Sequence, residues 1–191
     1  KQGKKARESF EAAMKATSNS SVRAVALEGL AWIDIGEKRS AEAQVRLREA
    51  MKLADDPIVK SRVMDLLATV LFNERKYEEA SLQYQQVIEI AVVEEDRQRA
   101  RRQRGWCEQH LGRVDEAVKT WEMMKNDEGW WLIGRAHLGA GRAVDAARAF
   151  RVVVERYPKS VWGSSALVRE GDALYNAGSH EMAAASYRSA M

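Results

Sequence analysis

Apolar residues recur along the chain at spacings of three and four, and no stretch alternates strictly, so the pattern predicts helices and no strands. Residues 4–16 place Ala6, Phe10, Ala13 and Met14 on one face, a pattern proper to the second helix of a pair. The next helix runs to about Ile35, with Ser20 or Ser21 as its cap and Gly36 as its stop. A helix over about 38–54 turns Ala43, Leu47, Ala50 and Met51 inward, although counting from Gly36 selects Ala41 and Val45 instead. Asp56 and Pro57 read as an N-cap with proline in the first turn. The helix they open, about 58–73, points Val63, Met64, Leu67, Ala68 and Leu71 inward, and Tyr77 to about Val92 is its partner. Further pairs fall at about 95–111 with 114–125, 127–140 with 143–156, and 161–177 with 180–191. The result is an all-α chain of about eleven helices, antiparallel neighbours joined by short turns.

The pairs share a rhythm. Gly141 is followed by Ala146 and Phe150, Gly112 by Ala117 and Trp121, and Gly178 by Ala183 and Tyr187, while Arg75 stands in the glycine's place before Ala80 and Tyr84. Seven residues before each turn sits a small residue: Gly105, Gly134, Gly171 and Ala68, with Gly29 and Gly36 as the corresponding pair near the start. A fixed period of this length marks a repeat protein. The steps are 39 residues from Gly29 to Ala68, 37 on to Gly105, 29 on to Gly134 and 37 on to Gly171, so one repeat is trimmed and a local change of pitch is expected at 125–128. Glycine inside a helix costs about 1 kcal/mol relative to alanine. Close approach of the paired helix is the expected compensation, with Trp121, Phe150 and Tyr187 filling the space between one pair and the next.

These residues resemble a tetratricopeptide repeat array. The fourth repeat matches best, through Trp130, Gly134, Gly141, Ala146, Phe150 and Pro158. The resemblance implies a right-handed superhelical solenoid over 1–191: a half repeat at 1–19 and repeats at about 20–56, 57–93, 94–125, 126–158 and 159–191, as a segment of a longer protein. The phrase Arg156–Trp162 is similar to bacterial cell-envelope members, which implies the periplasm, with the cytoplasm as the alternative. The third repeat departs from the family pattern, with Arg101, Arg104 and Glu108 where bulky apolar residues belong. Arg104 and Glu108 can pair at i, i+4, but a thinner core is expected there.

The resemblance also implies a concave groove lined by the first helix of each repeat. The helical period then selects one stripe per helix, at six and three residues before the buried small position and one and four after it. The stripes are Arg62, Asp65, Thr69 and Phe72; Arg99, Arg102, Trp106 and Gln109; Glu128, Trp131, Arg135 and Leu138; and Ser165, Val168, Asp172 and Tyr175. The partner-binding candidates among them are Arg62, Asp65, Arg99, Arg102, Trp106, Gln109, Trp131, Arg135, Asp172 and Tyr175. Tryptophan and arginine are the side chains most enriched at binding hot spots, and the expected partner is a protein or peptide with acidic and apolar side chains. The competing reading packs the tryptophans between helices and pairs the arginines with neighbouring acids. The family's basic clamp for a C-terminal carboxylate does not carry over, because Thr69 and Trp106 stand at two of its places.

Composition narrows the classes further. A net charge of +3 over 191 residues supplies no broad basic face for nucleic acid. The run Arg97–Arg104 scatters its charges around a helix, behind Glu94, Glu95 and Asp96. No apolar run approaches the ~20 residues a bilayer requires, so direct membrane insertion is not expected. Cys107 and His110 are spaced to begin a zinc site but have no second pair. Cys107 therefore reads as a small core residue, and His137 as a core histidine with its hydrogen bonds satisfied. No phosphate loop or nucleophile–base arrangement is present, so neither catalysis nor a cofactor is expected. Two alternatives to partner binding stay open: a structural spacer within a larger envelope or secretion assembly, and self-association through the end helices.

Overall fold

The computed structural model describes residues 2–191. Among them are eleven α-helices and no strand. They are α1 (Gln2–Ala16), α2 (Ser20–Gly36), α3 (Ser40–Leu53), α4 (Pro57–Asn73), α5 (Tyr77–Ile90), α6 (Glu94–His110), α7 (Val114–Glu122), α8 (Asp127–Gly139), α9 (Ala143–Arg156), α10 (Gly163–Asn176) and α11 (His180–Ser189). Each helix packs on its sequence neighbour, α2 with α3, α4 with α5, α8 with α9 and α10 with α11, as in a helical repeat solenoid. The chain divides into two compact units, 1–103 and 104–191. The division falls inside α6, the helix that carries Arg101, Arg104 and Glu108 in place of apolar residues.

The turns inside the pairs are one structure repeated. Gly112, Gly141 and Gly178 have φ of 76°, 73° and 78°, and Lys38 and Arg75 hold the same left-handed conformation at 60° and 62°. After each, the next backbone N–H reaches back to a carbonyl five residues earlier, as Arg142 does to His137 at 2.9 Å and Arg39 to Asp34 at 2.8 Å, the Schellman closure of a helix end. Lys38, not Gly36, is therefore the turn residue of the first full repeat. Counting back seven from Lys38 gives Ala31, which is fully buried, as the small residue there. The steps from Ala31 to Ala68 and from Ala68 to Gly105 are then both 37 residues, and the apparent irregularity near the start disappears. The same correction settles the register of α3: Ala43 and Leu47 are fully buried, while Val45 is 64% exposed. The cap of α2 is Asn19, whose side chain accepts from Val22 N, rather than Ser20 or Ser21.

Each of three mid-helix glycines receives its paired helix through the aromatic ring that helix carries. A Cβ on Gly134 would lie 2.6 Å from Cε1 of Phe150, one on Gly171 2.5 Å from Cε1 of Tyr187, and one on Gly105 inside the Trp121 indole. The ring of the second helix thus lies against the glycine of its own pair, and Trp121 and Phe150 also share core clusters with residues of the following pair. Removing the Cβ makes room for the ring, and burial of that ring offsets the helical cost of glycine. The trimmed repeat owes its length mainly to α7, which has 9 residues where α3, α5 and α9 have 14. Gly129 opens α8 directly over α7, where a Cβ would meet the Trp121 carbonyl oxygen at 2.7 Å.

Candidate partner-binding site

The groove positions in the first unit are tied up internally. Arg62 forms a two-pronged ion pair with buried Glu28, at 2.5 and 2.6 Å. Arg99 bonds Asp65 at 3.2 Å and Asp96 at 2.7 Å. Each of the first two pairs joins residues 34 positions apart, the arginine at one place in its helix and the acid at the place three residues further on in the preceding first helix. Burial dominates Asp65 and holds its carboxyl above the usual carboxylate range despite Arg99. For Arg62, Asp65 and Arg99 the arrangement is a ladder of paired charges, in which each guanidinium already has an acid. Arg102 is half-buried in the same helix.

In the second unit the positions behave differently. Trp106, at the position after Gly105, meets Trp121 edge-on at 5.4 Å. Trp131 stacks on Trp162 with ring centres 4.4 Å apart and planes at 28°. The Arg135 guanidinium lies over both exposed-side indoles, 4.7 Å from the Trp131 ring centre and 5.5 Å from that of Trp106. Arg135 is exposed and makes no ion pair among the described residues. The Trp131 indole N–H is buried and has no hydrogen-bond partner. Gln109 sits half-buried one turn beyond Trp106.

Why Arg135 is left over follows from the aromatic across from it. In the second repeat Thr69 bonds the Tyr84 hydroxyl at 3.1 Å, and in the fifth Tyr187 donates to Asp172 at 2.9 Å. Those phenols occupy the residue that follows the small position. In the fourth repeat the ring is Phe150, which has no hydroxyl, so Arg135 has nothing to bind inside its own pair. Asp172 is further held by Arg169 at 3.0 Å, and Tyr175, 60% exposed, tilts on His180 at 4.9 Å. Asp172 is therefore part of the internal network, whereas Tyr175 remains on the surface.

Two tryptophans, one in each unit, were not among the sequence candidates. Trp162 is held in place by the turn before α10: Ser160 donates to Asp127 at 2.6 Å and accepts from Trp162 N at 3.0 Å, while the Tyr157 hydroxyl donates to the Lys125 carbonyl at 3.1 Å. Its signal was available one turn ahead of Ser165 on the fifth stripe. Trp32, 58% exposed, occupies the position after Ala31, and the misplaced turn at Gly36 concealed it. Two other expectations are revised or refined. The Nδ1 of His137 is buried without a partner, so this histidine is not satisfied, and burial pushes its pKa down. Cys107 is buried in the core, where burial first and the Glu108 charge second push its thiol up to about 12. Among the described residues no three metal-ligating side chains cluster, and no helix is long and apolar enough to cross a membrane.

Two family models, both described as tetratricopeptide repeat, match residues 66–122 and 128–160. Among solved structures, the C-terminal part of a TPR repeat-containing protein from Cytophaga hutchinsonii superposes with a TM-score of 0.76 at 16% identity, covering 99% of this chain and 73% of that one. YrrB, described as a TPR protein with an unusual peptide-binding site, gives 0.67 at 14% identity over 96% of this chain and 91% of its own. A MamA fragment from Desulfovibrio magneticus gives 0.65 at 16% identity, covering 88% and 93%. No curated protein matches in sequence. At these identities the structural likenesses establish the fold alone. Repeated small–aromatic pairs, five identical turns and two matching family models lead to one assignment: the chain is a tetratricopeptide repeat protein.

Proposed function

We propose that this protein-interaction scaffold holds an extended or helical peptide on the first-helix face of its second unit, with Arg135 receiving an acidic side chain and Trp106 and Trp131 packing against apolar ones. One observation carries the reading: Arg135 is exposed, rests on two indoles and has no acid of its own among the described residues. A guanidinium held over indole faces presents its N–H fork outward in a geometry matched to a carboxylate. The buried Trp131 N–H is a further donor that the fold itself leaves unused. Exposed Val168 and Tyr175 on α10 extend the same face with apolar surface. The paired charges of Arg62, Asp65 and Arg99 set register in the first unit and contribute little affinity.

Calorimetric titration with candidate acidic–apolar peptides tests the site. Arg135→Ala and Trp131→Ala should each weaken binding by about tenfold or more, as expected of hot-spot residues, while Arg62→Ala should change affinity less than threefold. Equal affinity for the wild type and both second-unit variants overturns the assignment. Self-association is a second reading, favoured by a nearly apolar hollow of about 350 Å³ between α1 and α2, lined by Phe10, Ala13, Val22, Val25 and Ala26. Light scattering that reports a concentration-dependent dimer, lost in Val25→Glu, would favour it.

A further inference from the structure

A face of α4 that does not contribute to the groove opens onto a hollow of about 510 Å³ in the first unit, walled by α3, α4 and α5. Arg48 and Lys52 stand on its α3 wall and Lys60 on its α4 wall, and no carboxylate lines it. Lys52 and Lys60 make no ion pair among the described residues. Arg48 reaches Gln44 at 3.1 Å and Glu79 at 3.9 Å, a loose exposed pair, and Glu74, which Gln44 and Lys76 also hold, adds a charge interaction. The apolar lining includes Met51 and Met64, whose unbranched thioethers adapt to varied side chains. On the α5 wall the Gln83 amide leaves its oxygen buried without a hydrogen-bond partner.

We propose that this hollow is a second docking surface, taking an acidic peptide segment with an apolar anchor: carboxylates at Arg48, Lys52 and Lys60, the anchor on Met51 and Met64. Three cations with no acid in the lining complement a run of carboxylates. The methionine floor asks for an apolar group that a simple anion lacks. The unsatisfied Gln83 oxygen needs a donor, which a peptide N–H supplies. These features favour peptide over nucleic acid, and they are independent of Arg135.

The test uses the full chain with methyl-labelled methionines, and as probes a short peptide of alternating Glu and Leu, its Gln and Leu counterpart, and a short single-stranded DNA. The acidic peptide should shift the Met51 and Met64 methyl signals saturably. Lys52→Glu combined with Lys60→Glu should raise its half-saturation concentration at those signals by about tenfold or more. The remaining methionine signals, at their wild-type positions, show that the double variant is folded. Arg135→Ala should leave the Met51 and Met64 response unchanged, which separates this surface from the groove. Unmoved Met51 and Met64 signals, an equal response to the Gln and Leu peptide, or a stronger response to the DNA would each overturn the proposal.

Discussion

At the scale of single residues, Asp34 is a heavily engaged group. Its side chain is buried and receives hydrogen bonds from Arg7 at 2.8 Å, Arg39 at 2.8 Å and Arg46 at 2.7 Å, one guanidinium each from α1, the turn after α2, and α3. Burial alone would raise its pKa, but the three bonds outweigh it and hold the carboxyl below the usual carboxylate range. A depressed folded-state value gives a stabilisation that is complete above the ordinary carboxylate pKa and disappears as pH falls through the folded one. Asp34→Ala should therefore cost about 2 kcal/mol at neutral pH, less than a wholly buried pair because the guanidinium groups reach solvent. Asp34→Asn should flatten the acid limb of the stability curve, read by denaturant unfolding across pH 2–7. No short-range pattern marks Asp34, since its α1 partner lies 27 residues away.

Helix and turn positions were legible from sequence wherever the pattern was local. The Asp56 cap with Pro57, the inward faces of α4 and the five helix pairs after α1 follow from spacing alone. The first repeat was misread because φ > 0 there falls on Lys38, a residue with no preference for it, while Gly36 nearby has open space and an ordinary helical role. The shortened step is where an element's geometry makes the sharpest demand. Gly129→Ala places a methyl against the Trp121 carbonyl, and a backbone atom cannot rotate away, so a loss of about 2–3 kcal/mol is expected. Gly139→Ala meets nothing within 4 Å, and at a helical position it should be neutral or stabilising by up to about 1 kcal/mol. Thermal unfolding of the two variants makes the comparison; equal melting temperatures would show that α8 does not rest directly on the α7 carbonyl.

For the whole molecule, the charge distribution bears on partner class. The arginine run of α6 is answered from its own first turn and from α4: Arg97 and Arg101 pair with Glu94, and Arg99 with Asp96 and Asp65. With those charges matched and a net charge of +3, few cations are left to displace counterions from a phosphate backbone. Filter binding with duplex and single-stranded DNA should accordingly show no retention at physiological salt. Strong retention that falls steeply between low and high salt would contradict this reading.

The number of helices, their pairing, the small–aromatic rule and the family resemblance were settled by the amino-acid sequence, because each depends on periodicity within one or two helices. Which groove residues remain free was decided only by tertiary structure. Arg62 and Arg99 meet acids 34 positions away in the preceding first helix, a distance no local pattern spans. Arg135 holds a different place, one residue after Gly134, where Arg62 and Arg99 stand six before their small residues. It stays unpaired because the ring across from it is Phe150, without the hydroxyl that Tyr84 and Tyr187 offer their own partners, and because two indoles give its guanidinium a place to rest.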